Sequence, residues 1–465
     1  MRGAVAAGHP LTAGAGADVL RAGGNAVDAC IAAAAVSWVC ESPLTGLGGG
    51  GFLLVHEARR GRSRLLDFFV AVPGRPSLPE EHLELAVDFG GTAQRFRTGP
   101  AAVAVPGVGL GLWEAHRRFG SLPWAELLAP AARLARRGVV LDEPRAYLHR
   151  ILDPLLRHSP EGDALYGPGR PLAAGERFAA PELAETLERL AAEGPRDLYR
   201  GETAERIAAH VPLSRADLTR YSVLEREPLA VAYRDGELRT NPPPAHGGRL
   251  LAVGLAALGD APPTPRALAR AMEAQAAARD APAPAGTTHI SVLDARGDAA
   301  SLSCSLGSGS GVVVPGTGIH LNNMLGELHL AGDAGSSGVR AGERLPSLMA
   351  PSLPLREGRP RLVVGSAGST RLHGAILQVV AGVAAAGLGV AEAVGAPRIH
   401  VEDGLAHCEA ATAAVELEAA GYAVVRWRHR NLFFGGVSAV EVRADGSLAA
   451  AGDPRRGGGS VVVEA

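Results

Sequence analysis

A hydroxyl at the head of a strand does chemistry only if something removes its proton, and the segment around Thr287 supplies a means. The chain runs Ala281-Pro282-Ala283-Pro284-Ala285-Gly286 without helical or strand pattern. It then turns into Thr287-Thr288-His289-Ile290-Ser291-Val292-Leu293-Asp294, alternating and rich in β-branched residues. A cut before Thr287 would free its own α-amine, of ordinary pKa about 7.7 to 8.0, beside its hydroxyl as a general base. Gly286 has no Cβ to obstruct attack on its carbonyl. The residue types alone equally allow Thr287 to be an ordinary strand opener.

The elements that must position this group follow from pattern. Ala295 to Asp298 read as a turn and Ala299 to Leu306 as a returning strand, giving a hairpin that starts at Thr287. Ser301, Ser303 and Ser305 share one of its faces, and Leu302, Cys304 and Leu306 the other. Ser305 therefore falls where a side chain reaches back toward Thr287. Farther on, 361–364 reads as a strand and Arg371 onward as a helix. The Gly365-Ser366-Ala367-Gly368-Ser369 loop between them offers free N–H groups at a helix start, suited to a developing oxyanion. It has no lysine, which separates it from a phosphate-binding loop.

Near the start, two helical stretches within 11–40 break at Gly23-Gly24-Asn25, with Asn25 as cap of the second. That second helix, 26–39, is nearly all small or apolar, so it must be covered on several sides. Gly46 to Gly51 then feed a strand, 52–55. The spacing GxGxxG is present, but a dinucleotide site needs strand before and helix after, the reverse of this order. A tight backbone crossing beside the active site is expected instead. Residues 108–226 read as mostly helical, with Arg133, Arg136 and Arg137 on a solvated face, and His246 as a packing or capping residue in a Pro/Gly loop.

Composition sets outer bounds. With 465 residues, 47% of them hydrophobic, and 46 basic against 48 acidic, the chain is globular and carries no field that favours nucleic acid or an anionic membrane. The partner expected is a small molecule. Cys30, Cys40, Cys304 and Cys408 lack metal-site spacing and read as reduced structural thiols, and no metal or organic cofactor is implied. The first residues meet Gly8, His9 and Pro10 before any signal-peptide core forms, and 372–390 reads as a buried helix, so a cytoplasmic location is expected.

Ten segments, in order, resemble motifs of the γ-glutamyltransferase family, from residue 3 to about 460. They are 23–29, 46–52, Val105-Pro106-Gly107, 241–248, Thr287-Thr288-His289, Leu321-Asn322-Asn323, 365–369, Ala396-Pro397-Arg398, Phe434-Gly435-Gly436-Val437 and Asp453-Pro454-Arg455-Arg456. The resemblance implies an N-terminal-nucleophile α/β (α+β) fold, a four-layer αββα sandwich. It also implies autocleavage between Gly286 and Thr287 into a large chain, 1–286, and a small chain, 287–465, that stay together as one intertwined domain. By resemblance Thr287 is the nucleophile, Ser305 the hydroxyl that holds it, and Gly368 and Ser369 the oxyanion donors. Glu327 stands where an acid receives the substrate ammonium, and Ser347 matches the first of a serine pair at the substrate site.

Departures from the family pattern fall on the substrate side. The arginine for the substrate α-carboxylate is replaced by Phe69, so a bidentate clamp becomes an apolar ring. Met324 follows Asn-Asn where the family has a polar residue, Gly307 replaces an asparagine, and Leu348 replaces the second serine. The tether before Thr287 is also shorter than usual. The expected activity is cleavage of γ-glutamyl or related amides through an acyl-threonine, with a weakened γ-glutamyl preference. The alternatives are an acylase for a less charged acyl group and an inactive, unprocessed member that binds a metabolite.

Overall fold

A computed structural model describes residues 3–75, 81–88, 93–279, 287–329 and 340–464. Two sheets pack face to face with helices outside each, the αββα arrangement expected. The first sheet is antiparallel throughout, in the order Gly459–Val463, Gly3–Ala7, Thr288–Asp294, Ala299–Ser305, Gly50–Glu57, Arg62–Phe68, Leu224–Arg226. Strands from both chain ends thus flank the hairpin of Thr288–Asp294 and Ala299–Ser305. The second sheet holds Leu362–Ala367, Gly436–Val442 and Leu448–Gly452. A Ser352–Val364 bridge joins it to the ladder of Leu353–Arg356, Gly236–Thr240 and Leu229–Tyr233.

Strand alternation sorts the two faces. Val5, Ile290, Val292, Leu302, Cys304 and Leu53 point into the core shared with helices Pro10–Arg21 and Ala26–Cys40. Ala6, Leu293, Phe52 and Leu54 point the other way, into the core against Leu362–Ala367 and, behind it, helices Gly247–Leu258, Pro265–Ala277 and Leu372–Ala384. All fifteen residues of Ala26–Cys40 are buried, as a helix with no polar face requires. Its start is fixed by a capping box: Asn25 accepts from the Val27 and Asp28 N–H groups, and Asp28 accepts from the Asn25 N–H at 3.0 Å. The four cysteines are free and buried.

The helical region 108–226 is as expected, and Arg133, Arg136 and Arg137 are exposed, with Arg136 paired to Glu188. The glycine run does form a tight crossing: a Cβ on Gly49 would lie 2.2 Å from the Ser305 carbonyl oxygen, and one on Gly48 2.2 Å from that of His320. Only residues without side chains let these backbones approach so closely. The hairpin strand begins at Thr288, one residue later than the pattern indicated. Among the described residues, no helix is long and apolar enough to cross a membrane.

Candidate active site

Thr287 sits at the mouth of the central hairpin, 2% exposed, immediately before the first ladder pair, Thr288 with Cys304. Continuing the register sets it beside Ser305, which pairs on its other side with Gly50. The Ser305 Oγ accepts the Gly307 N–H at 2.9 Å, bending the chain out of the strand. Gly307 carries φ of +72°, and a Cβ there would come within 2.0 Å of the Asn323 amide oxygen and 2.7 Å of a Glu327 oxygen. The asparagine expected at that position would therefore not fit this arrangement.

Glu327 is no surface acid: it is 3% exposed, and its Oε1 accepts the Ser308 N–H at 3.1 Å. Asn323 accepts the same N–H at 2.9 Å, while its amide donates to Ser308 Oγ at 2.7 Å and to the Arg97 carbonyl at 3.0 Å. Ser347 is buried, its Oγ accepting from the Met349 N–H and its carbonyl accepting from His246 at 2.7 Å. Phe69 lies wholly in the core between the sheets, stacked on Phe52 with centroids 5.3 Å apart and planes 19° apart. Its backbone is held by Asp67, which accepts its N–H, and by the Tyr221 hydroxyl donating to its carbonyl at 2.8 Å. Gly286 lies outside the described residues.

The oxyanion candidates come to the same end of the sandwich through the second sheet. The Ser301 Oγ donates to the Val364 carbonyl at 3.3 Å, and Gly365 packs under His289, two residues from Thr287. The strand ends at Ala367, and the next residue, Gly368, packs on Gly435. Ser369 then opens a short 3-10 turn, Ser369–Arg371, ahead of helix Leu372–Ala384. No hydrogen bond ties down the Gly368 or Ser369 N–H among the described residues. Ser369 adopts φ of +55°, a left-handed conformation that costs a non-glycine residue of order 1 kcal/mol. That conformation stands next to two N–H groups at a helix start, the geometry the oxyanion expectation called for.

Several contributors escaped the sequence reading. His289 projects between the sheets onto Ser303 Oγ at 2.8 Å and Ser291 Oγ at 3.1 Å, and burial pushes its pKa down to about 3, so it is neutral. Glu41, at the end of helix Ala26–Cys40, accepts from Thr288 Oγ1 at 2.6 Å and Thr12 Oγ1 at 3.0 Å. Arg456 Nη1 reaches the Thr287 carbonyl at 3.5 Å. A buried ion cluster braces the neighbouring strand: Arg398 meets Asp453 at 2.6 Å, Asp453 accepts the Val437 N–H at 2.9 Å, and Arg455 spans Asp453 and Glu409. The sequence signals for these were the Thr287-Thr288-His289, Ala396-Pro397-Arg398, Phe434-Gly435-Gly436-Val437 and Asp453-Pro454-Arg455-Arg456 motifs, which gave no role to His289, Arg398, Val437, Asp453, Arg455 or Arg456; Glu41 had none. Among the described residues, no group of three or more His, Cys, Asp or Glu is arranged to hold a metal ion.

A buried threonine hydroxyl, a neighbouring serine hydroxyl and two amides at a helix start are groups that acyl transfer could use, and the chain resembles known proteins along its whole length. The gamma-glutamyltranspeptidase family model matches residues 12–260 and 258–463. The chain is 32% identical to a glutathione hydrolase proenzyme of Pseudomonas aeruginosa, across 99% of this chain and 95% of the relative. It is 31% identical to the Acylase ACY 1 proenzyme of a Pseudomonas species, across 99% and 94%. Among solved structures it superposes on a cephalosporin acylase from Bacillus halodurans with a TM-score of 0.86 at 25% identity, covering 100% of this chain and 96% of that one.

Proposed function

The chain belongs to the gamma-glutamyltranspeptidase family, and from that premise we propose that it is an autoprocessed amide hydrolase or acyltransferase working through an acyl ester on Thr287. The observation that carries this is the placement of Thr287, buried at the head of the central strand beside Ser305. Cleavage between Gly286 and Thr287 separates 1–286 from 287–465, which stay interleaved because Gly3–Ala7 of the first piece lies between Gly459–Val463 and Thr288–Asp294 of the second in the first sheet.

In the reaction, Thr287 Oγ1 attacks the amide carbonyl while its α-amine takes the hydroxyl proton. The Gly368 and Ser369 N–H groups hold the oxyanion, a stabilisation worth about 3 to 4 kcal/mol for each such donor. Collapse breaks the C–N bond, the ammonium returns its proton to the leaving amine, and water or an acceptor amine then cleaves the ester by the same proton path. Glu327 receives a substrate ammonium, and Ser347 lies at the acyl site. With Phe69, Met324 and Leu348 in place of polar groups, the acyl part is held with little help for an α-carboxylate. An acylase reading for a less charged acyl group rests on those same three residues.

The test is a denaturing gel with N-terminal sequencing. Purified protein should give two fragments, the smaller beginning Thr-Thr-His-Ile, and hydrolyse a chromogenic amide; a single intact chain after prolonged incubation would refute the proposal.

A further inference from the structure

Two charged groups of opposite sign bracket the residue whose amine is to act as base, one touching it and the other touching the residue after it. On one side the Arg456 guanidinium reaches the Thr287 carbonyl, its stem lying so close along Gly436 that a Cβ there would meet its Cδ at 2.2 Å. Its Nε is buried without a partner among the described residues. On the other side Glu41, 3% exposed, takes the Thr288 hydroxyl at 2.6 Å. Burial lowers the Arg456 pKa only to about 10, which leaves it charged at neutral pH.

The remaining charges near Thr287 are already engaged. Arg145 donates to the Gly8 and Gly457 carbonyls and pairs with Asp142. Asp453 is neutralised by Arg398 and Arg455. Arg371 is occupied by the Phe433 carbonyl and ring. Glu327 accepts the Ser308 N–H beside Gly307. His9 and His289 are kept neutral by burial, with pKa values of about 4 and about 3.

We propose that Arg456 and Glu41 form an opposed pair that sets the basicity of the freed Thr287 amine, Arg456 disfavouring the ammonium and Glu41 favouring it. This rests on Thr287 being the processed nucleophile. Arg456 has the stronger hold because it touches Thr287 itself, whereas Glu41 acts through the next residue and already accepts two hydroxyl protons. The amine is therefore held below its ordinary range, and more of it is free to take the Thr287 hydroxyl proton at neutral pH. Both groups are positioning residues: neither bonds to the reacting atoms.

The experiment titrates the amine directly, by competitive acetylation of the processed small chain across pH read by mass spectrometry, alongside the acidic limb of kcat/KM. Arg456→Met should raise both by about one pH unit, and Arg456→Lys, which keeps the charge, should stay near the parent value. Glu41→Gln, which still accepts from Thr288, should lower them by about half a unit. Shifts in the same direction for Arg456→Met and Glu41→Gln, or none in either, would overturn the proposal. If Arg456→Met does not mature, the sign of the Glu41→Gln shift decides alone. Absence of a free Thr287 amine in the parent protein would remove the premise and this proposal together. A processed, active parent whose titration ignores both substitutions would remove this proposal only.

Discussion

Removing the α-carboxylate from a γ-glutamyl donor should cost this protein little. An arginine clamp makes charge-assisted hydrogen bonds of about 1.5 to 3 kcal/mol each, so a bidentate pair discriminates by roughly 10² to 10⁴. Phe69 supplies none, since its ring is stacked on Phe52 and shut off from solvent. The arginines nearby are committed elsewhere. Arg344 lies 3.3 Å from the Asp67 carboxylate and 4.4 Å from the centre of the Tyr221 ring, and Arg75 is exposed. Arg97 stands 3.5 Å from Glu84, a partly exposed pair worth at most about 1 kcal/mol, so it is the cation most easily recruited. The assay compares kcat/KM for a γ-glutamyl anilide and a 4-aminobutanoyl anilide at one pH; the expected loss is under about tenfold, or about 1.4 kcal/mol. A loss far above tenfold would refute the reasoning, and its disappearance in Arg97→Ala would identify the substitute clamp.

Thr287→Ala should stay a single chain without amidase activity, since one hydroxyl serves both cleavage and turnover; parental turnover by the mutant would place the nucleophile elsewhere. Ser369→Gly relieves a positive φ and should leave kcat within about threefold while changing stability by no more than about 1 kcal/mol, whereas Gly368→Ala, whose Cβ would meet Gly435 Cα at 2.6 Å, should abolish most activity in the same kinetic assay. Acid should destabilise the fold early: His289 and His373 near pKa 3, with His149 and His320 near 4, stay neutral when folded but bind protons below about 6.5 when unfolded. The unfolded state then holds more protons, so stability falls as pH drops from about 6.5 toward 4, by up to about 1.4 kcal/mol per pH unit for each histidine; a Tm that is flat from pH 7 to 4.5 would contradict this.

The parts legible in the sequence are those whose causes are local. Asn25 ahead of an apolar run announces a cap, alternation from Thr288 to Ser305 announces a hairpin, and five glycines among the six residues 46–51 announce a crossing. The family motifs then placed Thr287, Gly368 and Ser369 by resemblance. What stayed hidden depends on strand order. Glu41 meets Thr288 across 247 positions, and Arg456 meets Thr287 across 169. The first meeting exists because helix Ala26–Cys40 packs across the hairpin, the second because the C-terminal and N-terminal strands pair beside it, and no periodicity within any of these segments encodes either contact. Nor does residue type reveal the backbone strain at Ser369, since serine is at ease in ordinary turns.

The substituted positions also explain one another. Loop 69–73 is tied to loop 340–345 by Leu345 N–H to Val70 carbonyl and Val72 N–H to Glu343 carbonyl. Met324, Leu345 and Met349 share the buried cluster that contains Phe69. A polar group left alone in that cluster would lose water without gaining a partner, at about 1 to 3 kcal/mol, and a lone guanidinium would cost more. Replacing arginine and the polar residue after Asn-Asn together, by Phe69 and Met324, avoids that cost. Phe69→Arg by itself should therefore destabilise the protein without restoring carboxylate recognition. Thr287, Ser305 and the Gly368 loop lie at strand ends outside that cluster, so the proposed nucleophile and oxyanion donors can persist while the acyl preference changes.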